Sequence, residues 1–347
     1  MNMHVFRRGS DGKQQEVTER LQAARTTAQI TIALFNVWMG WRLYQFYQFF
    51  YTGRGTTVPR PPGIEAYLPI SALLSLKYWL ITGVYDAIHP AGLAILIAAL
   101  LSALLLRRGF CSWICPVGTL SEGLWRLGAT VFGRDFSLPD WLDIPLRTLK
   151  YFLLAFFVYI TAVMSPLAIK MFLDSPFNHM ADIQMLRFFM LIGSIGLSVL
   201  FILVVGSVFI KNFWCRYLCP YGALLGLFSL VSPVAVERDS AKCTQCHTCD
   251  SVCPASIKVS SKERVNTPEC TACLACVDNC PQGEVLRVRA AVAKSYIAPV
   301  VYGALLLSFF FGIILAAQLS GHWQTSIGMQ EYRQMIPRMA SSVFEHP

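Results

Sequence analysis

The chain has 347 residues, of which 55% are hydrophobic and 14% charged; its mean hydropathy is +0.50 and its formal net charge +9. Soluble domains carry roughly 25% charged residues, so this deficit excludes a single soluble globular domain, and with it any disordered or collagen-like chain. The composition describes an integral membrane protein, in which an excess of Lys and Arg records topology rather than affinity for nucleic acid.

Residues 1–27, with Arg7, Arg8, Lys13, Arg20 and Arg25, read as a cytoplasmic N-terminal segment that becomes helical near Glu16. No cleavable secretory signal is evident, because the first apolar run is long and lacks a small-residue cleavage site. A membrane domain is expected over 28–236, with spans at 28–50, 88–106, 146–165 and 188–210. Glycines and prolines between Gly53 and Gly63 mark a loop. The apolar stretch 64–83 contains Glu65, Pro69 and Lys77 and reads as a re-entrant or interfacial segment. A soluble segment follows at 237–289, then a last span within 290–319 and an outer, periplasmic tail at 320–347.

Counting basic residues orients this layout. With about five crossings, segments 1–27, 107–150 and 211–294 share one side and hold 21 of the 29 Lys and Arg. Short cytoplasmic segments are enriched in such residues, so the N-terminus and all cysteines are expected on the cytoplasmic face of a bacterial inner membrane. The expected fold class is an all-α polytopic membrane protein with an inserted small α+β domain of the bacterial 2[4Fe–4S] ferredoxin type.

Twelve cysteines fall into four groups, at 111/115, 215/219, 243/246/249/253 and 270/273/276/280. Cys243-x₂-Cys246-x₂-Cys249-x₃-Cys253-Pro254 and Cys270-x₂-Cys273-x₂-Cys276-x₃-Cys280-Pro281 each match the bacterial [4Fe–4S] run, whose fourth cysteine ligates the other cluster. Cys243, Cys246, Cys249 and Cys280 are therefore expected to hold one cluster, and Cys270, Cys273, Cys276 and Cys253 a second. Zinc is the alternative for four cysteines, but zinc ribbons supply two C-x₂-C pairs rather than three cysteines in a row, twice over. His247 lies inside a ligand loop and reads as a surface residue.

Residues 107–120 match 211–224 without gaps, sharing C-x₃-C-P-x-G at an offset of 104. Copies following helices that enter the same compartment describe a parallel repeat. Proline after the second cysteine suits the start of a helix, whose free N–H groups favour an anionic ligand and would lower a thiol pKa. Three readings remain for Cys111, Cys115, Cys215 and Cys219: ligands of a third iron–sulfur cluster, redox-active dithiols, or inert buried thiols.

Arg42 stands within the first span among Trp38, Trp41 and Tyr44, and Lys77 is followed by Asp86 and His89. Intramembrane ionisable groups are costly, and these four residues could bind a quinone headgroup. The competing reading has Arg42 snorkelling beside an interfacial aromatic belt. No phosphate loop or nucleotide fingerprint occurs.

The motifs Cys111–Glu122 and Cys215–Leu224, with the double ferredoxin run, resemble those of the NapH/NosR-type membrane polyferredoxins. Residues 62–69, 141–147 and the tail around Tyr332 and Pro337 are similar to the YccM-type electron transport proteins within that group. The resemblance implies a cytoplasmic double-cluster domain on a membrane core, exchanging electrons between the quinone pool and a redox partner as a subunit of the quinol dehydrogenase type. Two other roles stay open: an assembly or maturation factor (or dithiol relay) supplying electrons to another metalloenzyme, and a redox sensor. The sequence lacks the N-terminal flavin-binding domain of NosR and, unlike NapH, continues into a span and tail after the clusters.

Overall fold

The structure, a computed structural model, describes residues 12–339 apart from 57, 134, 135, 137 and 292–294, with side chains from Leu21 onward. Arg7 and Arg8 of the expected N-terminal segment, and the end of the expected tail beyond 339, lie outside the described residues.

The first helix, α1, is continuous from Gly12 to Thr52. It is followed by α2 (Pro69–Thr82), α3 (Pro90–Leu106), α4 (Pro116–Phe132), α5 (Asp140–Val163), α6 (Pro166–Leu173), α7 (Ala181–Met190), α8 (Ser194–Phe209) and α9 (Pro220–Ser229). Strand β1 (Val234–Arg238), strands β2 (Leu286–Ala290) and β3 (Ser295–Ile297), and helix α10 (Pro299–Leu319) complete the frame. Six of these helices start on proline, whose fixed φ suits a first turn that has no use for its N–H.

Among the described residues three helical stretches are long and apolar enough to cross a membrane: Pro90–Trp113, Asp140–Val163 and Pro299–Leu319. One expected span needs correction. The span at 188–210 is not one rod: α7 and α8 meet at a bend of 86°. The break, residues 191–193, abuts the pair Gly193–Ser194, weak helix formers where sharp kinks concentrate. The span at 28–50 lies inside α1, but Asn36, Arg42, Gln45 and Gln48 keep this helix outside the apolar set. Helix α2 has 14 residues, about 21 Å of helix against a hydrocarbon core of about 30 Å.

Two compact units emerge from the packing. One comprises Leu34–Ala99, Phe152–Phe201 and Phe310–Pro347. Its core joins Leu43, Phe46, Tyr47 and Phe50 of α1 to Met180, Ile183, Tyr332 and Ile336, with Phe46 and Tyr332 edge to face at 5.0 Å. A second contact sets Leu74 of α2 against Ile169 and Leu173 of α6. Buried charges accompany this core. Arg60 donates to Asp182 Oδ2 at 2.6 Å and to Glu65 Oε1 at 2.8 Å.

The other unit comprises Met1–Ala33, Leu100–Tyr151 and Ile202–Phe309 and contains all twelve cysteines. Strands β1, β2 and β3 form an antiparallel sheet in that order, with Val236 opposite Val288 and Val288 opposite Ile297. The β1–β2 pairing closes a loop, 239–285, around eight of the cysteines. Close approach elsewhere depends on glycine: a Cβ on Gly303 of α10 would meet the Trp113 ring at 2.4 Å, and one on Gly128 of α4 would meet the Val208 carbonyl at 1.9 Å.

Candidate functional site

Each ferredoxin-type run is shaped by residues in the left-handed region. Gln245 and His247 (φ 56° each) alternate with cysteines in the first run, and Ala272 and Leu274 (φ 49° and 59°) hold the same places in the second. Such a conformation costs a non-glycine residue roughly 1–2 kcal/mol. Its effect is to turn successive backbone N–H groups into an anion-binding concavity of the kind found at Fe–S sites.

The two runs build two cavities. The first is lined by Cys243, Cys246, Cys249 and Cys280. The second is lined by Cys253, Cys270, Cys273 and Cys276. Three thiols of each set come from one run and the fourth from the other. All twelve cysteines are free thiols. Among the described residues no three His, Cys, Asp or Glu side chains converge tightly enough to hold a single metal ion. The thiols stand instead around the rims of the two concavities.

Burial dominates the thiols' acidity. It pushes Cys253 up to about 12 and Cys249 to about 11, and raises Cys276 well above the ordinary thiol range. Thiolates at these positions need a compensating cation, which a coordinated metal supplies while displacing the proton. Cys246, at the surface, is lowered by hydrogen bonding to Thr248.

Cys111, Cys115, Cys215 and Cys219 come together at the repeat. Cys215 lies within electrostatic reach of Cys219, Cys115 and Cys111, and Cys219 within reach of Cys111. Cys115 and Cys219 precede the first turns of α4 and α9, and Gly222 N–H donates to Cys219 Sγ at 3.2 Å. The expected lowering of thiol pKa does not follow. Burial outweighs that N–H, raising Cys115 to about 12, Cys215 well above the ordinary range, and Cys219 as well. Arg108, itself buried, donates from Nε to Cys111 Sγ at 3.3 Å.

A family model described as a 4Fe–4S binding domain matches residues 88–139 and 189–235, one copy on each half of the repeat; a second, a 4Fe–4S dicluster domain, matches 235–281. YccM of Escherichia coli K12, provisionally named an electron transport protein, is 41% identical over 320 residues, 90% of either chain. The chain belongs to the NapH/NosR-type polyferredoxin family. The ferredoxin-type protein NapH of Escherichia coli is 28% identical over 56% of this chain and 67% of its own. NirI of Paracoccus denitrificans is 32% identical over 54% of this chain and 27% of its own. No solved structure matches.

Three of the four residues considered for a quinone are hydrogen-bonded within the protein. Lys77 Nζ donates to the carbonyls of Thr161, Ala162 and Met164, each at 2.8 Å, and so caps the C-terminal end of α5. Asp86 accepts from Ser75 Oγ at 2.5 Å and from Ile88 N–H. His89 Nε2 lies 2.6 Å from the Asn178 carbonyl, which fixes that nitrogen as the N–H donor, while Nδ1 faces Glu65 at 3.4 Å. Arg42, half-buried, sits 5.8 Å from the Trp38 ring centre.

Several working residues left no motif. Arg25 of α1 binds Glu122 of α4 through two hydrogen bonds (3.0 and 2.7 Å), with Gln29 adding a third at 3.1 Å. Asp143 accepts from Arg216 and Tyr217. Arg107 and Arg108, which count toward topology in the sequence, are 1% and 2% exposed and bound to protein groups. The only advance signal for these groups is charge standing where helices must pack.

Proposed function

We propose that this protein is a membrane-bound iron–sulfur electron carrier, holding [4Fe–4S] clusters on Cys243/Cys246/Cys249/Cys280 and on Cys253/Cys270/Cys273/Cys276. The exchange of the fourth thiol between two cavities, each with its left-handed N–H concavity, carries the reading. A cubane has four corners, and two C-x₂-C-x₂-C loops can each reach three of them. The clusters supply one-electron redox chemistry; the chain supplies thiolates, burial and N–H dipoles that set the potential.

A third cluster on Cys111, Cys115, Cys215 and Cys219 extends the proposal. The convergence of four thiols across the repeat supports it, as does the 4Fe–4S match on both copies. A dithiol relay is disfavoured, since thiol exchange runs through low-pKa thiolates and burial drives Cys115, Cys215 and Cys219 the other way. The physiological role is electron exchange between the quinone pool and a redox partner, with the cysteines on the cytoplasmic side. With Lys77 committed to α5 and Asp86 and His89 to buried partners, Arg42 among its aromatic neighbours is the group best suited to a quinone carbonyl.

Anaerobic purification with iron and sulfide counting and EPR tests this. About eight irons per chain supports two [4Fe–4S] clusters and about twelve supports three; an iron-free, zinc-loaded protein with full biological competence refutes the assignment. Quinol-dependent reduction that slows in Arg42→Ala supports the quinone role. Reduction only by a cytosolic ferredoxin or thiol donor, indifferent to Arg42→Ala, favours the assembly or maturation role.

A further inference from the structure

The two cysteine cavities are held in different ways. Both halves of the repeat grip backbone carbonyls beside the ligands of the second. From the first copy, Arg107 donates to Asn266 Oδ1 (3.0 Å) and the Thr267 carbonyl (3.2 Å), and Arg108 Nη1 to the Pro268 carbonyl (3.0 Å). Ser112 Oγ and Trp113 Nε1 continue along the same strand of chain, donating to the carbonyls of Thr271 (2.6 Å) and Ala272 (3.2 Å). From the second copy, Lys211 Nζ and Arg216 Nη1 donate to the carbonyls of Ser251 and Ala255, both at 2.6 Å. Those two carbonyls straddle Cys253, the thiol that the first run contributes to the second cavity. Lys211 and Arg216 also occupy the repeat positions of Arg107 and Ser112. One structural repeat has thus been used twice to seize the same site.

Exposure follows the same division. Around the second cavity Cys253, Ile257, Val259, Val265, Cys273 and Leu274 are buried. Around the first, Thr244, Gln245, Cys246, His247, Pro281 and Gln282 are exposed. Neighbouring sets are also in touch: Cys276 of the second cavity lies within electrostatic reach of Cys249 of the first, and Arg108 spans from Cys111 Sγ to the Pro268 carbonyl, two residues before Cys270.

Resting on the cluster reading above, we infer that the three cysteine sets work as a series of fixed order: Cys111/Cys115/Cys215/Cys219, then Cys253/Cys270/Cys273/Cys276 as the inner station, then Cys243/Cys246/Cys249/Cys280 as the outer station, where a soluble one-electron redox protein exchanges electrons over the exposed Cys246 loop. Each step moves one electron, oxidising one set and reducing its neighbour by one, and no bond or proton is transferred. Arg107 and Trp113 are positioning residues for the inner station. Arg107 also brings a cation within electrostatic reach of Cys270, which favours the reduced, more negative state there.

The test is EPR on the anaerobically purified full chain, reduced with dithionite, with and without a soluble dysprosium chelate. Three signals are expected, one of them relaxed several-fold more strongly by the chelate. Cys246→Ser should abolish the chelate-sensitive signal, and Cys273→Ser one of the two protected ones, that of the inner station. Arg107→Gln, which keeps every thiol, covers the case in which a ligand variant fails to fold: in a redox titration it should lower the potential of the inner-station signal and leave the sensitive one unmoved. Equal sensitivity of all the signals, or a shift of the chelate-sensitive signal in Arg107→Gln, overturns the order. Absence of any iron–sulfur signal from the wild type would instead sink the underlying cluster assignment.

Discussion

Gly118 and Gly222 occupy the same position in the two copies of the repeat, each in the first turn of the helix that follows C-x₃-C-P. Their surroundings differ. A Cβ on Gly118 would stand 2.2 Å from the Cys111 carbonyl oxygen, whereas one on Gly222 would first meet the tip of Arg108 at 2.8 Å. Backbone cannot swing aside as a guanidinium can. In Gly118→Ala the Cys111 turn and α4 must separate by about 1 Å, an overpacking strain of about 3 kcal/mol. Alanine's advantage over glycine in a helix returns about 1 kcal/mol at either site. Gly118→Ala should therefore destabilise by about 2 kcal/mol and loosen the convergence of Cys111 and Cys115 with Cys215 and Cys219. Gly222→Ala should be close to neutral. Thermal unfolding in detergent, followed by circular dichroism, with iron per chain measured on the same samples, reads both quantities. Equal stability losses, or a larger loss in Gly222→Ala, would refute the reasoning, because the repeat would then be equivalent where the structure makes it unequal.

Glu122→Gln removes the charge facing the buried Arg25, and breaking one side of a buried ion pair costs about 3–5 kcal/mol; a denaturation midpoint unchanged at neutral pH would contradict this. Burial opposes ionisation of Glu122, but its hydrogen bond and charge contact with Arg25 prevail and hold the carboxyl below its ordinary 4.5. A depressed folded pKa contributes stability above about pH 4.5 that is lost as pH falls through the folded value, so wild type and Glu122→Gln should converge in stability on acidification. Lys77→Met leaves three carbonyls at the end of α5 without their ammonium. It should cost about 1–3 kcal/mol while leaving the rate of quinol-dependent cluster reduction unchanged; a selective rate loss at full stability would return Lys77 to the quinone site.

Spacing and hydropathy are local properties, and they carry far in this chain. Three cysteines two residues apart must share one tight loop whatever surrounds them, and long apolar runs such as 90–106 and 299–319 must leave water. The C-x₃-C-P repeat is visible because its two copies align without a gap. What depends on distant partners is not written in any window. Ala272 and Leu274 adopt left-handed backbone without glycine, because the surrounding loop imposes it. The bend at residues 191–193 interrupts a run that hydropathy alone reads as continuous. Arg107 and Arg108 pass for topology markers until residues 266–268, some 160 positions later, supply the acceptors. Arg25 finds Glu122 from 97 residues away. Sequence dictates which side chains share a turn, since that is set by bond geometry over a few residues. Which turns share a site is decided by packing, since burial of charge and closure of long loops are settled only when the whole chain has found its contacts.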